Sequence, residues 1–156
     1  MADTPQAAMR EAKLKGNLGV NPKYTVTWHG VLNIAEVVGA LSALVVIMLS
    51  TNQSTAAKLM VVVSFADGYT SLVMLMGGIV SPYTQAYLPL SLYFLLYHLV
   101  GSCFLLLSSG WLMGKANGEI LMQAAAGAGI TAGVSHFVHG LYTFVTVFRQ
   151  PIGPPP

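Results

Sequence analysis

The sequence predicts an all-α integral membrane protein that folds as an antiparallel four-helix bundle. Composition is the first reason: 54% of the 156 residues are hydrophobic and 8% are charged, whereas about a quarter of the residues in a soluble domain are charged. The second reason is that four apolar segments each reach the roughly 20 residues needed to cross a bilayer. The third is that short connections join these segments, so consecutive helices are expected to run in opposite directions.

The predicted elements divide the chain into two tails and one transmembrane unit. Residues 1–24 are predicted to form a polar cytoplasmic tail, because basic and acidic side chains are mixed there with only a thin apolar face. Residues 25–149 form the four-span bundle, and residues 150–156 form a proline-rich tail. The spans are predicted at approximately residues 25–50, 58–80, 90–113 and 120–148.

The first span carries a carboxylate in its interior. Glu36 lies about nine residues inside an apolar run that begins at Trp28, where a charge facing lipid would cost at least about 2.5–3.5 kcal/mol. Steps of three and four residues from Glu36 reach His29, Asn33 and Ala40, which are polar or small. This face of the helix is therefore predicted to contact protein rather than lipid.

The other three spans also carry ionisable side chains. Asp67 lies near the middle of the second span, His98 lies inside the third, and His136 and His139 lie inside the fourth. Buried charges need partners, because an isolated charge is costly in an apolar medium. We expect Glu36 to bond to His136 or His139, and Asp67 to bond to His98 or to a serine hydroxyl. These five residues are the predicted polar core of the bundle.

Small residues recur at helical spacing on the first and fourth spans. Such residues let helix backbones approach closely where packing drives association in a membrane. The GxxxG pattern on the fourth span and its small-residue counterpart on the first predict that these faces pack against neighbouring helices. The residues are Ala35, Gly39 and Ala43 on the first span, and Gly129, Gly133 and Gly140 on the fourth.

Three roles are open for the polar core. The sequence favours hydrogen bonds that fix the register of the helices, at about 0.6 kcal/mol per contact. A proton or ion relay is the second role, because intramembrane acids and histidines often mark such paths. A metal site is the third, but no HExxH pair is present and His136 and His139 are three residues apart. No metal ligand is therefore assigned from the sequence.

The sequence contains no motif of an enzyme. We find no nucleophile motif, phosphate-binding loop or paired carboxylates, so no catalytic residue and no cofactor are predicted. The single cysteine, Cys103, lies in an apolar run and forms no CxxC pair. A net charge of +2 is too small to indicate a nucleic-acid partner. The expected partners are the lipid bilayer and other membrane proteins or further copies of this chain.

Basic residues predict that both termini are cytoplasmic, since positive charges in short flanking segments favour that side. Five basic residues would lie on the side of the termini and two, Lys58 and Lys115, on the opposite side. Asn52, in the sequon Asn-Gln-Ser, would then face the lumen or exterior as a candidate glycosylation acceptor. The five on the terminal side are Arg10, Lys13, Lys15, Lys23 and Arg149.

Two segments resemble the MARVEL family, which includes MAL, plasmolipin and relatives of chemokine-like factor. They are residues 30–38, GVLNIAEVV, and residues 132–143, which begin AGV and end LYT. The resemblance extends over about residues 26–149 and includes the layout of four spans with short loops. It implies a non-enzymatic protein of the plasma membrane or of endomembrane vesicles that organises membranes in vesicle trafficking, at cell junctions or in ordered lipid domains.

Two other functions remain as alternatives. Residues 35–39, AEVVG, are similar to the first helix of small multidrug resistance transporters, in which a membrane glutamate couples protons to cation export. That similarity implies a small proton-coupled transporter that uses Glu36. The composition is equally consistent with an accessory transmembrane subunit of a larger membrane complex.

Overall fold

The structure is a computed structural model that describes residues 19–51 and 54–148. Within these ranges the chain is all-α and contains no β-strand, which confirms the all-α part of the predicted fold class. A 3-10 helix, Pro22–Val26, precedes α1, a second, Leu88–Leu90, precedes α4, and a π-helical turn, Phe144–Phe148, follows α5. The α-helices of the described residues are α1 (Trp28–Leu49), α2 (Thr55–Val80), α3 (Pro82–Tyr87), α4 (Leu92–Lys115) and α5 (Ile120–Thr143).

Side-chain caps fix where four of these helices begin. In each case a hydroxyl oxygen accepts a hydrogen bond from the backbone N–H three residues later, which satisfies a donor that the helix leaves free. The turn between α4 and α5 needs left-handed backbone at Asn117 (φ 44°) and Gly118 (φ 85°), which asparagine and glycine tolerate best. The capping residues are Thr27, Ser54, Ser81 and Ser91.

The four long helices surround one interior that has an apolar half and a polar half. Helix α1 packs against α2 and α5, and α4 packs against α5 and α2. The end of α1, the start of α2, the end of α4 and the start of α5 share one apolar cluster that includes Ile47, Met60, Leu112 and Met122. The predicted polar core fills the other half of the interior.

Small residues lie where the helices approach most closely. A Cβ atom on Gly39 would lie 2.9 Å from Cβ of Ala132, so α1 and α5 are in near-backbone contact there. Ala43 is fully buried in the apolar cluster, but Ala35 is only half-buried and lies on the flank of this contact. On α5, Gly129 faces Met60 and Ser109, Gly133 faces Leu105 and Leu106, and Gly140 faces His98 and Leu99.

The segment before α1 closes the polar half of the interior. The ring of Tyr24 lies against Gly78 and the Tyr24 carbonyl against Gly30, at positions where a Cβ atom would collide. The backbone N–H of Gly19 donates to the carbonyl of Val80 at 3.1 Å, so this segment supplies a partner for the free end of α2. The folded unit therefore begins ahead of the predicted first span.

Three helices, α1, α2 and α4, are long and apolar enough to cross a membrane. Helix α5 is also 24 residues long but does not belong to this set. Several positions used in the sequence-based predictions lie outside the described residues. These are the glycosylation candidate Asn52, the basic residues Arg10, Lys13, Lys15 and Arg149, and the proline-rich tail 150–156.

Replacing Gly39 by alanine should destabilise the protein. The added Cβ would lie 2.9 Å from Cβ and 3.2 Å from Cα of Ala132. Neither atom can move without a shift of the α5 backbone, so overpacking should lower the free energy of unfolding by about 1–3 kcal/mol. The matched control is Gly127→Ala, where a Cβ meets nothing within 4 Å and helix propensity favours alanine by up to about 1 kcal/mol. The free energy of unfolding in mild detergent measures both. Equal values for the two variants would contradict close approach of α1 and α5.

Candidate functional site: a carboxylate–histidine cluster

The structure brings the five predicted polar residues together with a sixth, His29. Glu36, His98 and both α5 histidines are fully buried, and Asp67 is 6% exposed. Four helices contribute, because each polar stripe faces the same interior. The carboxylate–histidine cluster consists of His29 and Glu36 on α1, Asp67 on α2, His98 on α4, and His136 and His139 on α5.

Glu36 is the centre of the cluster. Its Oε1 atom accepts a hydrogen bond from Nδ1 of His139 at 2.8 Å and lies 3.2 Å from Nδ1 of His98. Nδ1 of His136 lies 3.7 Å from the same oxygen. Glu36 thus pairs with His139, as the sequence predicts, but it also reaches α4, so one carboxylate oxygen joins three helices.

Asp67 pairs with His136, and the expectation that it bonds to His98 or directly to a serine is wrong. Its Oδ2 atom lies 2.9 Å from Nε2 of His136, and its Oδ1 atom lies 3.3 Å from the hydroxyl of Tyr97. The reason is Gly101, where a Cβ atom would lie 3.1 Å from Asp67 Oδ1. A glycine on α4 therefore lets Asp67 reach across to α5, while the ring of His98 turns toward Glu36.

His29 and Tyr97 are members of the network that the sequence did not identify as site residues. Nδ1 of His29 lies 2.8 Å from Nε2 of His139, and the Tyr97 hydroxyl also lies 3.0 Å from Oγ of Ser71. His29 carries a sequence signal, since it lies seven residues before Glu36 on the same helical face. Tyr97 carries none, because its place in the network depends on how α4 is rotated: its ring centroid lies 5.2 Å from that of His98 and 5.5 Å from that of His136.

Aromatic rings enclose the imidazoles. Phe94 is fully buried and meets three histidine rings edge-on, with centroid distances of 5.9 Å to His29, 4.4 Å to His98 and 5.2 Å to His139. An apolar ring in this position keeps water away from the faces of these three imidazoles that it covers. The hydrogen bonds inside the cluster are therefore stronger than they would be in water.

Tyr24 closes the end of the interior next to the cluster. Its hydroxyl lies 3.3 Å from the side-chain amide of Asn33, and the residue is 4% exposed. Burial raises the pKa of Tyr24 to about 12, because the phenolate would lose its hydration. The hydroxyl therefore stays protonated at physiological pH and adds no charge to this end.

The charge of the cluster depends on the protonation of its imidazoles. A neutral imidazole has one N–H donor and one acceptor nitrogen, and at His98 the Nδ1 atom faces both Glu36 and His136 while Nε2 has no hydrogen-bond partner in the described residues. We first take all four imidazoles as neutral. The cluster then carries two negative charges, from Glu36 and Asp67. The described lysines, Lys23, Lys58 and Lys115, are exposed. Since uncompensated buried charge is expensive, the cluster must take up protons or another cation.

One end of the network reaches a cleft between α2 and α4. The cleft has a volume of about 420 Å³, and its walls are apolar except where Asp67, Thr70 and Tyr97 contribute oxygen atoms. The other end of the network is His29, which is half-buried near the start of α1. The apolar walls of the cleft are formed by Leu59, Val62, Val63, Ala66, Val100, Gly101 and Phe104.

Comparisons with known proteins give no match: no protein family, no curated protein and no solved structure resembles the chain at a significant level. The resemblance to the MARVEL family and the similarity of residues 35–39 to small multidrug resistance transporters therefore stay predictions.

Tyr97→Phe should destabilise the protein by about 1–3 kcal/mol, because it leaves a buried carboxylate oxygen of Asp67 without its hydroxyl partner. The matched control is Tyr93→Phe, one turn earlier on α4, where the side chain is 61% exposed. Thermal or denaturant unfolding in detergent measures both variants. An effect of Tyr97→Phe no larger than that of Tyr93→Phe would show that the hydroxyl is not part of the network.

Proposed function

We propose that the chain is a multi-pass membrane protein in which the carboxylate–histidine cluster forms a proton path for proton-coupled transport. The observation that carries this proposal is the unbroken series of contacts from His29 through His139, Glu36, His98 and His136 to Asp67. Each neighbouring pair is joined by nitrogen and oxygen atoms 2.8–3.2 Å apart. Intramembrane acids and histidines in such chains are typical of proton relays.

Four crossings of the bilayer by an antiparallel bundle are part of the proposal. The outward faces of all four long helices carry large apolar side chains, which suits contact with lipid. On α5, which is the least apolar of the four, these are Val134, Phe137, Val138 and Leu141. The connections after α1 and after α4 lie close together, since Ser50 donates a hydrogen bond to Glu119. That contact supports alternate helix directions.

The chemistry of the path follows from imidazole. A histidine that receives a proton on one ring nitrogen releases one from the other, so His139 and His136 can each pass a proton between two partners. Glu36 is the central acceptor because three imidazoles surround one of its oxygens. Asp67 is the last group, and it opens on the apolar cleft. The apolar cluster around Ile47, Met60, Leu112 and Met122 fills the rest of the interior in this conformation. A proton that crosses the whole bilayer therefore requires either the cleft or a second conformation of the protein.

This role explains the residue types better than hydrogen bonding between helices alone. Fixing the register of helices needs only hydroxyl and amide side chains, which bring no net charge into the membrane. Two acids among four imidazoles impose a cost that a purely structural network has no reason to accept.

Membrane organisation remains a second proposal, supported by the MARVEL-like segments. The accessory-subunit alternative has less support, because Gly39, Gly129, Gly133 and Gly140 pack against the chain's own helices. These helix faces therefore pack against other helices of the same chain and are not available to a partner protein. A protein that organises membranes would use its outer surface and would need no proton movement through the interior.

Glu36→Gln should remove proton-coupled flux, because glutamine is close in size but cannot take up a proton. The chain would be reconstituted in sealed vesicles with a pH gradient and an enclosed pH dye. The measurement is made with and without a lipophilic cation, which serves as the candidate transported substrate. The wild type should dissipate the gradient faster than protein-free vesicles, and Glu36→Gln should not. The matched control is Glu119→Gln, which lies at the opposite end of the bundle and should behave as the wild type.

Two outcomes would contradict the transport proposal. A wild type that leaves the gradient as stable as protein-free vesicles would mean that the cluster moves no protons, and membrane organisation would become the better proposal. Flux that persists in Glu36→Gln would place the path elsewhere.

Single introduced cysteines should report four crossings with both termini on one side. In a Cys103→Ser background, Thr51→Cys and Lys115→Cys should react with a membrane-impermeant maleimide from one side of sealed vesicles. Tyr87→Cys, in the connection between α2 and α4, should react only from the other side. All three replaced residues are exposed. Labelling of all three from the same side would exclude this topology, and with it the predicted cytoplasmic placement of the termini.

A further inference from the structure

Three atoms of the carboxylate–histidine cluster form a triangle of a size that suggests metal coordination. Oε1 of Glu36 lies 3.2 Å from Nδ1 of His98 and 3.7 Å from Nδ1 of His136, and the two Nδ1 atoms are 3.0 Å apart. All three residues are fully buried. Each comes from a different helix, so no sequence spacing could have indicated the set.

The dimensions match a face of a tetrahedral zinc site. Zinc binds imidazole nitrogen at about 2.0–2.1 Å, so two ligand atoms of a tetrahedron lie about 3.3 Å apart. The three observed distances bracket this value. The point equidistant from the three atoms lies about 1.9 Å from each of them, so an ion placed there or just above the plane needs little movement of the side chains.

The outer nitrogen atoms provide a second line of support. When Nδ1 of His136 binds a metal, its Nε2 carries the proton, and that atom lies 2.9 Å from Oδ2 of Asp67. A carboxylate that accepts from the far nitrogen of a ligand histidine is a common feature of metal sites. Nδ1 of His139 lies 2.8 Å from the same Oε1 atom of Glu36, so the ligand oxygen also has a hydrogen-bond donor, and Nε2 of His139 lies 2.8 Å from His29.

The charge of the cluster selects the kind of ion. With neutral imidazoles, Glu36 and Asp67 together carry two negative charges, and one divalent cation neutralises both. Two imidazoles and one carboxylate suit zinc and the neighbouring transition metals, whereas magnesium and calcium prefer oxygen ligands alone. The thiol of Cys103 is exposed on the outer surface of α4 and is not part of the set.

We infer that Glu36, His98 and His136 form a binding site for one divalent transition-metal ion of the zinc class. The fourth coordination position is left for water or another small ligand, as in zinc sites with three protein ligands. The ion replaces the protons that otherwise neutralise the cluster, so binding should release up to about two protons per ion. The metal site uses residues of the proposed proton path but does not depend on that proposal, because metal binding is measured at equilibrium without a gradient.

The test uses the full chain, purified in mild detergent with a tag that contains no histidine and then freed of metal with a chelator. Titration with Co²⁺ should give the visible absorption of a four-coordinate ion with an end point of one ion per chain, and Zn²⁺ should displace it. Zinc X-ray absorption should report two imidazoles and a carboxylate at about 2.0–2.2 Å. A pH indicator in weak buffer should record the released protons.

Variants locate the site. His98→Gln and His136→Gln should lose stoichiometric binding, and Asp67→Asn should weaken it by about 10–100-fold, as the loss of an outer carboxylate does elsewhere. Cys103→Ser and Glu119→Gln are matched controls that remove a thiol and a carboxylate outside the cluster, and both should bind as the wild type does.

Three results would overturn the inference. They are an absence of stoichiometric Co²⁺ and Zn²⁺ binding by the wild type, an absorption spectrum that indicates sulfur or oxygen ligands alone, and unaltered binding by His98→Gln. If the histidine variants do not fold, the ligands seen by X-ray absorption in the wild type decide the question. Binding without proton flux in vesicles would leave this site in place and remove the transport proposal, and flux without binding would do the reverse.

Discussion

Charge neutrality inside the bundle is the constraint on which the structure depends. Glu36 and Asp67 bring two carboxylates into an interior whose other half is lined by alanine, leucine and methionine. Neither acid has a lysine or arginine beside it in the described residues, so the imidazoles are the basic groups left to balance their charge. That requirement accounts for the inward direction of the polar stripes, for the position of the Phe94 ring against the histidines, and for the contact between Tyr97 and Asp67.

The glycines matter because the cluster needs contacts across the bundle rather than along one helix. Gly39 brings α1 against α5, and Gly101 makes room for Asp67 beside His136. Larger residues there would separate the acids from the histidines by roughly the width of a side chain. The small-residue faces therefore set the distances inside the cluster as well as the packing of the helices.

Helical periodicity was enough to predict the all-α fold and the inward direction of Glu36, because each depends on one segment alone. It could not predict that Asp67 pairs with His136, since that choice depends on how α2, α4 and α5 are rotated against one another. Tyr97 was missed for the same reason. The triangle of Glu36, His98 and His136 joins three helices, and a spacing rule such as HExxH detects only ligands that share one.

The division of the interior into a polar and an apolar half has an electrical consequence if the chain spans a bilayer. A membrane potential falls mainly across the least polarisable layer, which here is the cluster around Ile47, Met60, Leu112 and Met122. A charge that moves between His29 and Asp67 then crosses only part of the voltage. The rest of the voltage falls across the apolar half, so only a charge that also passes that half would move through the full potential.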